Sequence, residues 1–364
     1  MEDMRLSTLF SRSCAIALAM SVAVAVEAQY TSKILNPSGS SVSRAWGAYG
    51  GQQIGNAGGL SIQTAALWSG TPASAIPLTP PGWSTSYGLG IGPGQQVGIA
   101  SGAPSGFAFH AMLWTGTAAS AVDLNPVGYD VSAAYATDGT FQAGQATSGG
   151  VIHAMRWTGN AGSAVDLNPV GYDTSHAYGA WNGRQVGLGT VAGVDHALLW
   201  SGTAASAIDL NGAFDATDAY AMDGTHQVGI GAGPTTGGLS HALIWSGAAG
   251  SVLDLNPLGI SESVADGIGN GVVAGYGSGS LTGNRIHALA WVGSTAIDLH
   301  SFLPSGYSSS YAYGVDPVTG QIVGEAINNL NRSIAVMWTP VVPEPGTMAV
   351  LGLGAAVLLR RRRA

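Results

Sequence analysis

The chain has 364 residues, of which 46% are hydrophobic and only 9% are charged, and its formal net charge is −8. Residues 29–341 hold 16 acidic and 6 basic side chains. This balance excludes nucleic acid as an expected partner, because nucleic acids are held by clustered Lys and Arg. The only cysteine, Cys14, precedes this region, which therefore has no disulfide and no cysteine ligand for a metal.

The amino-terminal segment has the pattern of a secretory signal peptide. Arg5 and Arg12 come before an apolar run over residues 15–26, which predicts a short apolar helix. Val26-Glu27-Ala28 then places small residues at the −3 and −1 positions of a cleavage site. We therefore expect residues 1–28 to be a signal peptide that is cut after Ala28.

Seven tryptophans recur along the middle of the chain at steps of 43 to 47 residues. They are Trp68, Trp114, Trp157, Trp200, Trp245, Trp291 and Trp338. A fixed period in this range indicates one supersecondary unit copied many times. One such unit has short strand patterns at residues 175–180, 184–188, 196–200 and 207–210. Two-residue hairpins between the first two strands are predicted at Asn182-Gly183, Asp138-Gly139 and Asp223-Gly224.

Four short strands per unit of about 45 residues are typical of a β-propeller blade. The seventh unit lacks a fourth strand after Trp338, while Ile34-Leu35-Asn36-Pro37 matches Asp123-Leu124-Asn125-Pro126 of the second unit. The first residues are therefore predicted to complete the last blade and leave no open sheet edge. The predicted fold is all-β: a seven-bladed propeller of four-stranded blades over residues 29–341, with a short apolar helix at each terminus.

The repeat carries a recognisable order of residues: His-Ala-Leu/Met-x-Trp, then Asp-Leu, then a Gln-Val-Gly strand. Examples are residues 196–200, Asp209-Leu210 and Gln227-Val228-Gly229. This order resembles the bacterial extracellular repeats of the HAF family over most of residues 30–340, with Leu or Met in place of the usual aromatic residue after His-Ala. The resemblance implies a secreted repeat protein and no particular reaction.

Five histidines lie four residues before a tryptophan, and five aspartates lie seven or nine residues after one. The pairs are His110 and Asp123, His153 and Asp166, His196 and Asp209, His241 and Asp254, and His287 and Asp298. Metal or acid–base sites are one interpretation, but ligands must converge on one ion, and equivalent positions of a propeller radiate around its axis. We expect each histidine to bond a backbone carbonyl or an aspartate of its own or the next blade, and we expect no metal and no cofactor.

Turns after the fourth strands form the next candidate site. Asn125-Pro126-Val127-Gly128 and its copies at residues 168–171 and 256–259 predict type I turns with Asn at the first position. Aromatic residues follow these turns, and three of them precede an aspartate. The candidate binding residues are Trp83, Tyr129, Asp130, Tyr172, Asp173, Phe214, Asp215 and Tyr307. Their face also carries the variable loops between strands two and three, which suits polysaccharide binding; packing of the rings between blades is the alternative.

A glycan-active enzyme would need two carboxylates in the central funnel. The first strand of each blade should line that funnel, and it carries mostly Ala, Gly, Ser and Tyr. The carboxylates at or near the hairpin that leaves this strand are Asp138, Asp223, Asp266 and Asp316. We expect no catalytic residue, and we keep a glycan-active hydrolase or lyase as an alternative function.

The carboxyl-terminal residues have the order Pro-Glu-Pro, apolar run, basic cluster, formed by Pro343, Glu344, Pro345, Arg360, Arg361, Arg362 and Arg363. Over residues 342–364 this order resembles the PEP-CTERM sorting signal of bacterial surface proteins. The apolar run from residue 346 to 359 predicts a second short helix, shorter than the about 20 residues of a stable span, which suits transient inner-membrane association. The resemblance implies an exosortase-type processing enzyme and delivery to the envelope or extracellular surface of a Gram-negative-type bacterium.

These features predict an exported cell-surface or matrix-associated repeat protein with a structural, adhesive or polysaccharide-binding role. Exopolysaccharide is the expected ligand class, and the exosortase is the expected processing partner. A glycan-active enzyme and a protein-interaction platform are the alternatives. A carboxylate pair in the funnel would favour the enzyme, and a broad exposed apolar patch would favour the platform.

Overall fold

The computed structural model describes residues 29–341, which form 28 β-strands in seven antiparallel sheets of four. The first strands of neighbouring sheets contact one another in a closed ring. The seven-bladed, all-β propeller is therefore confirmed. The predicted apolar helices lie outside the described residues. Within residues 29–341 no helix has the length and apolar character needed to cross a membrane.

The blades follow one another along the chain, and the amino-terminal strand β1 (Tyr30–Ile34) belongs to blade seven. Blades one to three consist of β2 (Val42–Tyr49), β3 (Gln52–Gly58), β4 (Gln63–Trp68) and β5 (Ile76–Pro77); β6 (Trp83–Gly92), β7 (Gln95–Gly102), β8 (Phe109–Trp114) and β9 (Val122–Asp123); and β10 (Val131–Thr137), β11 (Gln142–Ser148), β12 (Val151–Trp157) and β13 (Val165–Asp166). Blades four and five consist of β14 (Thr174–Trp181), β15 (Arg184–Val191), β16 (Val194–Trp200) and β17 (Ile208–Asp209); and β18 (Ala216–Met222), β19 (Gln227–Ala232), β20 (His241–Trp245) and β21 (Leu253–Asp254). Blades six and seven consist of β22 (Glu262–Gly269), β23 (Val272–Ser278), β24 (His287–Val292) and β25 (Thr295–Asp298); and β26 (Tyr307–Val315), β27 (Ile322–Asn328), β28 (Ser333–Pro340) and β1.

Short 3-10 helices fill loops of the described region. They cover Pro72–Ser74, Ala103–Ser105, Ala118–Ser120, Ala161–Ser163, Ala204–Ser206, Pro234–Thr236, Ala249–Ser251, Ser280–Thr282 and Leu299–Phe302. Five of them follow a third strand. There a serine closes the turn, as when the Ser120 hydroxyl donates to the Thr117 carbonyl and accepts from the Thr115 N–H.

The tryptophans are buried at the joints between blades. Trp245, on the third strand of blade five, is fully buried, and its indole N–H donates to the Leu210 carbonyl of blade four at 3.1 Å. Trp291 and Trp338 make the same bond to the Leu255 and Leu299 carbonyls at 2.9 Å. The Asp-Leu step of the repeat therefore supplies the surface on which the next tryptophan packs.

A hydroxyl on each first strand ties its blade to the preceding one. Ser132 accepts from the Ala111 N–H of blade two at 2.9 Å and donates to the Asn125 side chain at 2.7 Å. The equivalent residues, all buried, are Ser43, Ser86, Ser132, Ser175, Thr217, Ser263 and Ser310. Each accepts from a third-strand alanine N–H, so this bond recurs at all seven joints and leaves no such donor unpaired.

The predicted closure of the ring is confirmed. Strand β1 pairs antiparallel with β28, in register from Tyr30 opposite Pro340 to Ile34 opposite Val336. The Leu35 N–H continues the ladder to the Ala335 carbonyl at 2.8 Å. Blade seven is thereby completed by the first described residues, as the match of residues 34–37 to the fourth strands predicted.

Two predicted hairpins and three predicted type I turns differ in detail from the structure. Asn182-Gly183 is a two-residue hairpin with φ of 48° and 78°, as predicted. Asp138-Gly139 and Asp223-Gly224 instead open four-residue loops, because each aspartate accepts two backbone N–H groups further along the loop. The turns predicted as type I at Asn125, Asn168 and Asn256 each start one residue later and are of type II. The N–H groups of Tyr129, Tyr172 and Ile260 bond the carbonyls of Pro126, Pro169 and Pro257, and the glycines at 128, 171 and 259 have φ of 89°, 93° and 85°.

Candidate functional site

Every first strand has a β-bulge at an equivalent position, and these seven bulges build the centre of the molecule. Strands β6 and β26 have a second irregularity near their start. In blade three, Ala134 opposes Gly144 and Ala136 opposes Ala143, so Tyr135 is the extra residue. A side chain at Gly144 would overlap the Ala133 carbonyl oxygen, so only glycine fits opposite the bulge. The glycine of the Gln-Val-Gly motif is thus required by the bulge.

The seven bulged residues, here called the bulge ring, all line one cavity on the propeller axis. They are Trp46, Leu89, Tyr135, Tyr178, Tyr220, Asp266 and Tyr313. The cavity has a volume of about 520 Å³ and opens towards the hairpins that join first and second strands. Its size lies within the usual range of small-ligand sites, and an axial position gives a single site per molecule.

Aromatic side chains form most of the bulge ring. Trp46 and Tyr313 are stacked with ring centroids 4.5 Å apart. Tyr178 lies 5.3 Å from Tyr135 and 5.8 Å from Tyr220, in tilted geometry. Burial raises the pKa of Tyr135 to about 12 and raises the pKa of the other ring tyrosines further, so all are neutral phenols at physiological pH.

Asp266 is the acidic member of the bulge ring. It is partly exposed through the cavity, but its Oδ2 atom is buried and has no hydrogen-bond partner within the described chain. Burial raises the pKa of Asp266 to about 8. The ionisable groups that face it are the phenols of Tyr276, on the second strand of the same blade, and of Tyr220 and Tyr313, on the two neighbouring blades. The pKa values of all three phenols are raised as well.

Carboxylates on the side of the ring opposite the cavity hold two of its tyrosines. The Tyr313 hydroxyl donates to Glu325 at 2.7 Å, and the same carboxylate accepts from Arg44 at 2.7 Å. The Tyr220 hydroxyl donates to Asp218 at 2.9 Å. These bonds fix the rings from behind, so that part of the cavity wall is formed before any ligand enters.

The other predicted funnel carboxylates accept hydrogen bonds from backbone N–H groups. Asp138 lies at the cavity mouth and accepts from the Gly183 N–H at 2.7 Å and from two N–H groups of its own loop. Asp316 is buried and accepts from the Gly51 N–H at 2.7 Å, and hydrogen bonds hold its pKa below the ordinary value although burial raises it. Asp223 caps its own loop. Of the four, Asp266 is the one with an unpartnered buried oxygen.

The repeated histidines and aspartates form one pair per blade in blades two to six. The His Nδ1 and Asp Oδ2 atoms lie 2.6–2.8 Å apart in all five pairs. The second aspartate oxygen accepts a nearby N–H, such as that of Asn125 for Asp123. In the described part of the chain, no three His, Cys, Asp or Glu side chains are placed to hold a metal ion.

The turn aromatics Trp83, Tyr129, Tyr172, Phe214 and Tyr307 are half-buried, and each packs against a hydrophobic cluster between two blades. Tyr172 also donates to Asp209 of the next blade at 3.1 Å. The following Asp130, Asp173 and Asp215 are exposed. The rings thus lie on separate joints, and the structure does not bring them together into one pocket.

The same face, here called the loop face, carries exposed apolar residues. Val127, Val170 and Leu258 at the tips of the fourth-strand turns are 97–104% exposed. The loops between second and third strands add Leu60, Ile62, Phe107, Leu281 and Leu330. Isolated apolar residues are common on protein surfaces, but their recurrence around one face is a feature of interaction surfaces.

The bulge ring was not predicted as a site. The sequence contains a signal for it: a large residue between two small ones recurs in the first strands, as in Ala177-Tyr178-Gly179 and Ala265-Asp266-Gly267. A period-two strand pattern does not reveal which of these residues is extra. Only the pairing register with the second strand shows that all seven point to the axis.

Comparison with known proteins identifies the carboxyl-terminal segment. Residues 341–363 match the PEP-CTERM protein-sorting motif. This motif is a sorting signal recognised by exosortase, and it marks the chain as exported to the bacterial cell envelope or surface. No curated protein matches the chain.

Solved structures show similarity to the propeller alone. The β-propeller domain of the Trilobed protease from Pyrococcus furiosus is 9% identical, with a TM-score of 0.54 over 82% of this chain and 95% of that one. A puromycin-hydrolysing peptidase from Mycobacterium tuberculosis is 15% identical, with a TM-score of 0.54 over 85% of this chain and 51% of that one. The former is described as having an open Velcro topology, whereas β1 closes the last blade here.

Proposed function

We propose that this chain is an exported surface protein that binds a polysaccharide unit in its axial cavity and does not cleave it. The observation that carries the proposal is the cavity of about 520 Å³, whose wall includes the five aromatic rings of the bulge ring and the carboxyl group of Asp266. Aromatic surfaces beside a few convergent polar groups suit sugar rings, which have apolar faces and hydroxyl edges. The resemblance to HAF-family repeats is consistent with a secreted repeat protein, and the PEP-CTERM motif supports delivery to the surface of a Gram-negative-type bacterium.

The residue distribution favours binding over hydrolysis. Glycoside hydrolysis commonly uses two carboxyl groups flanking the scissile bond. Asp266 lines the cavity with an unpartnered oxygen, whereas the oxygens of Asp138 are engaged by three backbone N–H groups. We therefore propose a binding role for the cavity and keep the glycan-active enzyme as the outcome that would replace it.

The test is binding of the purified protein to polysaccharide extracted from its own host, with released reducing ends assayed in the same tube. Tyr178→Ala should weaken binding about tenfold, because it removes a ring that lies against two others in the cavity wall. Tyr129→Ala with Tyr172→Ala is the matched control on the loop face and should leave affinity unchanged. Loss of affinity in that control alone would show that the ligand binds on the loop face. Released reducing ends would show that the protein cleaves the polysaccharide.

A protein-interaction platform is the second candidate function, favoured by the exposed apolar tips of the loop face. Replacing Val127, Val170 and Leu258 by Ser should leave the melting temperature unchanged, because these side chains contact solvent. The same variant should lose any co-purifying envelope protein that the wild type retains after cross-linking. Equal recovery of partners by both proteins would remove this candidate.

A further inference from the structure

The ionisable side chains of charged residue types that line the cavity are acidic. Among residues 29–341, no Lys, Arg or His lines it, while Asp266 and Asp138 do. Arg44, whose guanidinium carbon lies 5.9 Å from the centroid of the Trp46 ring, is paired with Glu325 at 2.7 Å. Residues 29–341 carry 16 acidic and 6 basic side chains, and this excess raises the local concentration of cations.

The Asp266 carboxyl group has an unused hydrogen-bonding atom. Its Oδ2 atom has no hydrogen-bond partner within the described chain, although buried polar atoms are nearly always paired. A cation that enters the cavity beside Asp266 would give the ionised carboxylate a counter-charge. The aromatic members of the ring, Trp46 and four tyrosines, supply the electron-rich surfaces on which organic cations bind.

We propose that the ligand unit bound in the cavity carries an organic ammonium group, which pairs with the Asp266 carboxylate inside the aromatic bulge ring. This inference rests on the proposed function and narrows it, because an amino sugar is the polysaccharide unit that presents such a group. A small quaternary amine is the other source of the same chemistry. The experiment below distinguishes the two.

Binding of a cation in the cavity should release a proton from Asp266. Because burial raises the pKa of Asp266 to about 8, the empty site holds a proton at neutral pH that a cation must displace. The phenols of Tyr220, Tyr276 and Tyr313 stay protonated through this range, and Asp218, Glu325 and Arg44 lie behind the ring. Affinity for a permanent cation should therefore rise with pH, whereas a neutral ligand that accepts the acid proton should bind more weakly as pH rises.

The test uses calorimetric titration with choline and its uncharged isostere 3,3-dimethylbutanol, and with glucosamine and N-acetylglucosamine. Choline affinity should increase about tenfold or more between pH 6 and pH 9 and should exceed that of the isostere at pH 9. Asp266→Asn should abolish both effects. Tyr178→Leu, which keeps the carboxyl, should weaken choline binding but preserve its pH dependence.

The outcomes separate this inference from the proposed function. Tighter binding of glucosamine than of both choline and N-acetylglucosamine supports an amino sugar. Tighter binding of choline than of glucosamine supports a quaternary amine. Equal binding of the two sugars with no preference for choline over its isostere overturns the cation and keeps the sugar site. Choline binding without sugar binding keeps the cation and overturns the polysaccharide function. Failure of all four probes to bind overturns both.

Discussion

At the scale of single residues, Asp266 sets the pH response of the empty protein. Its pKa is raised by burial to about 8, from an ordinary value near 4. Between these values the folded chain keeps a proton that the unfolded chain has released. The unfolded state then binds fewer protons, so the free energy of unfolding falls as pH rises through this window and levels off above it.

Asp266→Asn should therefore stabilise the fold at alkaline pH. The amide has the shape of the protonated acid and does not ionise, so its stability should not fall through this window. At pH 9 we expect the variant to exceed the wild type by on the order of 2–5 kcal/mol, and to match it near pH 4. Urea unfolding at a series of pH values measures the difference, and Asp173→Asn on an exposed turn is the control. A difference in the free energy of unfolding that does not change with pH would contradict the raised pKa of Asp266.

At the scale of elements, the sequence repeat correctly predicted the strands and turns that depend on local chemistry. The tryptophan period placed all seven third strands, and the Asp-Leu match placed β1 in blade seven. Asn182-Gly183 formed its hairpin because both residues adopt positive φ. The loops at Asp138 and Asp223 are longer, because an aspartate side chain captures backbone donors that a two-residue turn would not offer.

The axial site depends on the pairing register between first and second strands, which the sequence pattern does not reveal. Tyr135 and Tyr178 become neighbours only because each is the extra residue of a bulge in an adjacent blade. The turn aromatics showed the opposite relation: Tyr129 and Tyr172 recur visibly in the sequence, yet each packs against its own joint between blades. Recurrence thus marked packing, while the departure from recurrence, an aspartate among aromatic residues, marked the candidate site.

At the scale of the whole molecule, ring closure and binding are linked. The bulge ring in the cavity wall takes one residue from each blade, so the shape of the cavity depends on all seven joints remaining closed. Six joints are held within a continuous run of chain. The blade that closes the circle also depends on β1, which lies at the other end of the described chain from its partner β28. Tyr313 and Trp46, stacked at 4.5 Å, meet across the joint between blades seven and one.

Deleting residues 29–36 should therefore loosen the cavity as well as the edge of the sheet. The deletion removes the pairing with β28 and the buried Leu35, and exposes an unpaired strand edge that favours association between molecules. We expect the melting temperature to fall by roughly 10 °C and oligomers to form. The tryptophan fluorescence of the ligand-free protein should change as Trp46 loses its fixed partner.

Thr31→Ala with Lys33→Ala is the matched control for that deletion. These side chains are exposed and leave the backbone ladder of β1 intact, so the control should melt with the wild type and stay monomeric. Scanning calorimetry and size-exclusion chromatography with light scattering compare the three proteins. If the deleted chain kept both its melting temperature and its oligomeric state, the three remaining strands of blade seven would suffice to close the ring, and β1 would serve only to cover an edge. If it lost stability but kept ligand affinity, the cavity would depend on fewer blades than its lining implies.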